Sequence, residues 1–549
     1  MRTRLRAAAA IASASMLAVA CGGGSKGSSG GGGGTNGGAS GTQAPATLTP
    51  KPGGKLVMGT EAEIDGFDPT KNRFDVTGLQ YATTVYDPLT TIGKDNKPHP
   101  YLAQSLTPNA DYTVWTIKLR PNITFSNNDP VNADAVVADL QAQLKSALVG
   151  PALTNIASVA KVDDLTLTVT CKASWVPFPI YLAGQAGMVF DPKMLTDPQG
   201  SQHPIGSGPF ILDSWVPGNH FIAKKNPNYW QKGLPYLDSI EYRPILETQS
   251  RDNSLANGGI DILHSSDVQT TQDLKGVGSV NLTSDINSKG EVEEGFIQIN
   301  TAQAPLDDVT LRTALAYATD RARYRDVIDF GIPPDSTGPF GNTGSAYHAD
   351  TGYPNFDLSK AKQLVKQYEQ AHNVTSVTFE LGTTNVGRNL QAASILQDMW
   401  KQAGVTVTIK QVEQSQFILL ALEGKYNAYL WRQFGEPDPD ADNTWWASAQ
   451  AAPIGKLALN FARNKDPQID ADLLKGRSST NEADRTAAYQ DIARRFAVDI
   501  PYLWLGEAVW QVGTKKNVHG LFDWTLPDGS PGVDHTLGGL FLMSHVWVS

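Results

Sequence analysis

Cysteine is nearly absent: Cys21 and Cys171 are the only two in 549 residues, too few for a disulfide scaffold or a thiolate metal cage. The nine histidines are scattered without ligand spacing, so no metal site is expected. There is no HExxH, no Walker A sequence with its Gly-Lys-Ser/Thr ending and no CxxC, and outside the Gly/Ser-rich segment described below no GxSxG. These gaps point away from an enzyme, and no cofactor is expected. Positive charge is also scarce. The formal charge is −10, or −13 once Arg2, Arg4 and Arg6 are set aside, the wrong sign for a nucleic-acid partner. Long apolar runs are missing too, since beyond residue 20 none reaches the roughly 18 residues of a spanning helix.

What the chain has begins with a leader. Arg2, Arg4 and Arg6 precede an apolar stretch, Ala7 to Ala20, that ends Leu17-Ala18-Val19-Ala20-Cys21-Gly22. Basic residues, a short apolar run and small residues before a cysteine resemble a bacterial lipoprotein signal, although Leu17 stands one place further from Cys21 than the commonest pattern puts it. The reading is a signal peptide over 1–20 and lipidation at Cys21. From 21 to 53 the chain is mostly Gly, Ser, Thr, Ala and Pro. Such a segment cannot bury enough apolar surface to offset its ordering entropy, so it is expected to act as a flexible tether. About 495 residues follow, enough for two or three domain-sized cores. Cys171 ends the strand-like run Leu165-Thr166-Leu167-Thr168-Val169-Thr170-Cys171 and reads as a buried structural thiol.

Residues 205–245 read as a β-meander. Gly206, Gly208 and Pro209 break the chain before the apolar run Phe210-Ile211-Leu212, and Pro217-Gly218-Asn219 is a turn signal. His220 to Lys225 alternates, and Ser239 to Ile245 forms a third strand. Asn132 is a natural N-cap for a helix that carries Asp134 near its positive end. Leu311, Leu315 and Ala318 recur at helical spacing, and a helix over Ala392 to Ala403 meets a glycine stop at Gly404 before a strand at Val405 to Ile409. No fixed-period repeat is present.

The segment IGSGPF…NPNYW…PYLDSI within 205–240, with Tyr86-Asp87-Pro88-Leu89 before it and Pro305-Leu306-Asp307-Asp308 to Asp320-Arg321 after it, resembles the bacterial extracellular solute-binding proteins of family 5, the peptide/nickel class that feeds ABC importers. The resemblance implies an α/β fold of the type II periplasmic-binding architecture, large peptide-binding class, with two lobes, a hinge and an extra subdomain. Lobe I would comprise 54–294 plus 507–549, with the subdomain near 90–203, and lobe II 295–506. Phe296 to Asn300 and Ile500 to Leu505 would be the hinge strands. It also implies a lipid-anchored binding component on the outer face of the cell membrane. Its partners would be a peptide or other small solute and the ABC permease and ATPase subunits. The membrane would be touched only through the anchor, and the chain would be a monomer.

Peptide-binding relatives hold the ligand's α-ammonium with an aspartate in a segment resembling W-G/C-x-D-Y-x-[DE]-P. Here Trp431-Arg432-Gln433-Phe434-Gly435-Glu436-Pro437-Asp438-Pro439 puts Gly435 at that aspartate. Glu436, Glu61 and Glu63 are the substitutes considered, with Ile64 and Asp438 beside them. Arg388 and Asn389, opening the helix that ends at Gly404, and Arg432 are candidates for a ligand carboxylate, because the guanidinium fork bonds it in a bidentate way. Trp431 leads Trp445, Trp446 and Trp504 as an aromatic cleft wall. Tyr229 and Trp230 are expected to be structural. The run Asp438-Pro439-Asp440-Ala441-Asp442-Asn443 opens like a calcium loop, but Asn443 stands where glycine is needed and Ala449 where the bidentate glutamate should be. A solvated rim loop is expected instead. Two further readings stay open: the same scaffold for a non-peptide solute (a metal chelate, haem-like molecule or sugar conjugate), or a non-transport envelope protein on this fold.

Overall fold

Alternating apolar residues in 55–60 and in the meander dictate one sheet, and the computed structural model forms it. It describes residues 49–549 apart from 73, 285–292, 343, 523 and 538–539, and leaves undescribed the side chains of 414–415. The leader, Cys21 and the tether as far as residue 48 lie outside the described residues.

The first lobe is built on a seven-stranded sheet in the order Phe210–Val216, His220–Lys225, Ser239–Pro244, Lys55–Thr60, Ile262–Ser265, Gln511–Lys515, Val280–Ser284. The meander strands pair antiparallel as the turn signals require, with Gly218 at φ 75° in the connection. Lys55–Thr60 then pairs parallel with Ser239–Pro244 and Ile262–Ser265. Leu56, Met58, Phe221, Ile240 and Tyr242 project into a core shared with Phe67 and Tyr81.

A four-stranded antiparallel sheet (Ala103–Pro108, Val114–Leu119, Thr166–Cys171, Ile156–Asp163) makes a subdomain with its own core. Helix Ala133–Lys145 packs on it, capped as expected: Ala135 N–H donates to the Asn132 side chain at 3.0 Å. Cys171 is buried and unpaired, and burial pushes its thiol up to about 11.

The second lobe carries a five-stranded sheet in the order Val405–Val412, Val377–Thr384, Ala428–Gln433, Glu294–Ile299, Tyr502–Glu507. Val377–Thr384 and Val405–Val412 are parallel, joined by helix Gly387–Ala403, which stops at Gly404 with φ 98°. Both sheets belong to one compact unit spanning 50–549. The two strands expected as hinge elements are antiparallel neighbours inside this second sheet. The chain enters the sheet just before Glu294 and leaves it after Glu507. Ala508 N–H donates to the Glu293 carbonyl at 2.7 Å, which fastens the two passages together.

The family-like motifs converge on one buried carboxylate. Trp230 Nε1 donates to Asp87 at 2.8 Å, Tyr229 OH at 3.2 Å and Ser207 Oγ at 3.4 Å. Tyr101 OH and Tyr229 OH lie 3.1 Å apart, and Gln231 Nε2 donates to both. Asp87 is 2% exposed and has no cationic partner among the described residues. Burial pushes it up to about 7 against the pull of its three donors. Tyr229 and Trp230 are structural, as expected.

Candidate functional site

Where the chain passes between the sheets, charged groups from both lobes meet. Glu61 follows the first strand. Its carboxylate accepts from Ser266 N at 2.8 Å and from Ser266 Oγ at 2.9 Å. Arg432, from strand Ala428–Gln433 of the second lobe, approaches Glu61 at 3.8 Å and pairs with Glu293 at 2.9 Å. Its guanidinium also lies 4.9 Å from the ring centroid of Trp510, whose Nε1 donates to Glu293 at 2.9 Å. Burial raises the pKa of Glu61, but Arg432, Arg251 and the Ser266 N–H outweigh it and hold the carboxyl below its ordinary range. His264 is wholly buried against Trp510, with ring centroids 5.5 Å apart. Neither of its ring nitrogens has a partner among the described residues, and burial pushes it down to about 4, leaving it neutral at pH 7.

The second bridge is Arg388, at the start of helix Gly387–Ala403. It bonds Asp329 of its own lobe and lies 3.6 Å from Asp267 of the first lobe. Asp329 is 5% exposed; burial raises its pKa and the Arg388 guanidinium counters the rise. Arg388 and Arg432 therefore face the protein's own carboxylates, but not as bidentate forks: each makes one close pairing, with Asp329 and with Glu293, and Arg388 Nε has no hydrogen-bond partner among the described residues. Asn389 donates to Thr384 Oγ1 at 2.8 Å.

Glu436 stands apart. Its side chain reaches solvent, and no cation among the described residues lies within ion-pair distance. Even so, the flanking protein strips hydration from its carboxylate and Glu293 adds a like charge, so its pKa is raised. The backbone beside it is unusual: Phe434 has φ 71° and Gly435 φ 90°, a conformation that glycine adopts without a Cβ penalty. Phe434 is anchored by a stack on Phe296, with centroids 5.1 Å apart.

The remaining candidates separate. Glu63 accepts from Trp215 Nε1 at 3.1 Å and Gly218 N at 2.7 Å, tying it to the meander turn, and Ile64 is a core residue at 3% exposure. Trp431 neighbours Arg432 on one strand, so the two project to opposite faces. Trp431 stacks on Phe417 at 5.2 Å and meets Phe461 edge-on at 5.4 Å. Trp445 also packs on Phe461, whereas Trp446 and Trp504 are buried in the second lobe's core. The acidic run is not a solvated rim loop. Pro439–Asp442 forms a 3-10 turn, Asp440 is wholly buried, and the Asp438 carboxylate accepts from Arg485 Nη2 at 2.7 and 2.8 Å. Stiffening by Pro439 and the arginines downstream explain the difference: Asp438 finds the Arg485 guanidinium and Asp440 that of Arg477, and both carboxylates turn from water. Glu293, His264, Trp510, Asp267 and Asp329 carry no local motif, and only the fold assembles them. A groove of about 580 Å³ lies elsewhere, beside the edge strand Val280–Ser284, and has no acid among its lining residues.

A sequence profile for the middle region of the bacterial extracellular solute-binding proteins, family 5, matches residues 97–454. A glutathione-binding protein of Pectobacterium atrosepticum is 25% identical over 498 residues, covering 86% of this chain and 91% of that one. A nickel-binding periplasmic protein of Escherichia coli is 26% identical over 441 residues, covering 76% and 83%. The solved structure of an ABC transporter-associated periplasmic binding protein from Helicobacter pylori, in complex with the peptide STSA, aligns with a TM-score of 0.80 at 22% identity, covering 91% of this chain and 98% of that one. The last likeness gives the fold: two α/β lobes of the type II binding-protein architecture.

Proposed function

Because the chain belongs to the bacterial extracellular solute-binding proteins of family 5, we propose that it captures di- to oligopeptides between its lobes and delivers them to the permease and ATPase subunits of an ABC importer. One observation carries the peptide reading. Arg388 and Arg432 face carboxylates of the protein itself, Asp329 and Asp267 for the first and Glu61 and Glu293 for the second, whereas Glu436, on the loop that follows the strand bearing Arg432, has no ion pair among the described residues. A partly dehydrated carboxylate is stabilised by an incoming cation, and a peptide's α-ammonium supplies one. Trp431 and Trp445, partly exposed beside Phe461, would offer side chains an aromatic wall that tolerates variety.

In this reading lobe I comprises 54–294 and 507–549 and lobe II 295–506, a division that the strand membership of the two sheets supports. Lipid on Cys21 would hold a monomer at the outer face of the membrane, with the segment to residue 53 as tether. No helix among the described residues is long and apolar enough to cross a bilayer. The protein would act without a cofactor and without catalysis.

A second reading, a non-peptide solute on the same scaffold, draws support from Gly435 at the position of the peptide-recognising aspartate and from the nickel-binding relative. Native mass spectrometry of the protein purified from its own host distinguishes the two. A ladder of peptide masses released on denaturation supports the first reading; one fixed non-peptide mass supports the second.

A further inference from the structure

A separate set of contacts joins the lobes without using any residue of the cluster at the chain crossings. Asp440 belongs to the second lobe, yet its partners lie largely in the first-lobe subdomain. Trp175 Nε1 donates to its carboxylate at 2.8 Å, and Tyr181 OH lies 2.6 Å from its carbonyl and 3.1 Å from the carboxylate. From its own lobe, Arg477 Nε donates at 2.9 Å. The Arg477 guanidinium lies 4.8 Å from the Trp175 ring centroid, and its carbonyl accepts from Val176 N at 3.0 Å. Asp440 is wholly buried in this arrangement, and Trp175 is likewise 0% exposed.

A buried carboxylate is tolerated only when its lone pairs are met, and here two of the groups that meet them come from across the lobe boundary. If the lobes part, Asp440 keeps Arg477 and regains water, while Trp175 Nε1 and the Tyr181 hydroxyl lose their acceptor. The contact therefore discriminates between open and closed forms, which is what a closure equilibrium requires of any group that controls it.

The loop that bears Asp440 also bears Glu436. Between them Asp438 accepts from Asp440 N at 2.9 Å while Arg485 grips its carboxylate, so the loop is braced between the two acids. We propose that Asp440 is a positioning residue for solute binding: it latches the first-lobe subdomain onto the second lobe and thereby fixes the Glu436 loop in the closed cleft. The inference rests on the interlobe cleft being the binding site, but not on the identity of the solute.

The test measures the distance between the lobes in the purified full chain without added solute. Spin labels go on Val162→Cys in the subdomain and Leu474→Cys in the second lobe, both exposed (60% and 59%). With the latch intact, one short distance distribution is expected. Asp440→Asn, and separately Trp175→Phe, which removes the indole donor together with part of the ring that packs on Arg477 and Tyr181, should shift the closed-to-open ratio by about tenfold or more, as expected for loss of a charge-assisted bond. Both variants should therefore show a longer, broader distribution. Glu436→Gln, which leaves the latch untouched, should keep the short distance. A loss of binding in that variant would then bear on the solute reading alone. Unchanged distances in both latch variants, with only a lower melting temperature, would overturn the proposal by making the contact a static part of the core. A wild type that already populates mainly the long distance, or equal lengthening in Glu436→Gln, would overturn it as well.

Discussion

Replacing Asp87 by asparagine should flatten part of the protein's pH–stability profile. In the fold the Asp87 carboxyl is pushed up to about 7 by burial, with Trp230, Tyr229 and Ser207 as its donors; in the unfolded chain it returns to about 3.9. A carboxyl whose folded pKa is raised contributes stability that is fully present below the unfolded value and is lost as pH rises through the folded one. The difference of about 3 units corresponds to about 4 kcal/mol given up between pH 4 and pH 8. Asparagine has the shape of the protonated acid and no charge to desolvate. Asp87→Asn should therefore match or fall slightly below the wild type near pH 5 and exceed it in melting temperature by several degrees at pH 8. The measurement is a thermal melt of both proteins at half-unit steps from pH 5 to 8.5, read as the difference between them so that other titrating groups cancel. Parallel curves, with the variant lower throughout by the about 1–3 kcal/mol of a lost charge-assisted bond, would show that Asp87 stays ionised and refute the argument.

Further outcomes follow from the same geometry. Arg388→Ala leaves Asp329 buried without its cation, so it should cost about 3–5 kcal/mol of stability; addition of Asp329→Asn should recover part of the loss in chemical denaturation. Because the flanking protein strips hydration from Glu436 and Glu293 adds a like charge, its pKa is raised, so affinity for a cationic solute should fall as pH is lowered, starting at a higher pH than an ordinary glutamate would set, and titration calorimetry across pH 5 to 8 reads the onset. Cys21→Ala should release the protein from membranes or leave it as precursor; mass spectrometry that finds an unmodified N-terminus from another cleavage site in the wild type would refute the anchor.

Local signals were legible where a single residue type imposes a backbone or a cap. Gly404 ends its helix with φ 98°, Asn132 caps the helix that follows it, and Pro217-Gly218-Asn219 places the turn between Phe210–Val216 and His220–Lys225. The signature residues were recognisable as a pattern, but what they do was not, since Asp87, Ser207, Tyr229 and Trp230 meet only after 87 and 230 are folded together. The site was partly legible for a related reason. Glu61, Arg388, Arg432 and Glu436 could be picked out by residue type and position, but their partners Glu293, Asp267 and Asp329 come from other strands and loops. The acidic run misled because its charges suggested water, whereas Arg477 and Arg485, on one helix and the next, draw Asp440 and Asp438 inward. Trp431 and Arg432 could not both face one wall, a consequence of strand alternation that becomes visible once Ala428–Gln433 is known to be a strand.

Titration calorimetry with a short peptide released from the purified protein, or failing that drawn from a mixed di- to pentapeptide library, free and N-acetylated, against the wild type and Glu436→Gln tests the central claim most directly. The account predicts that the wild type binds the free peptide at least about tenfold more tightly than the acetylated one, and that Glu436→Gln removes most of that difference. Equal affinity for both peptides in the wild type, or binding of neither, would contradict it.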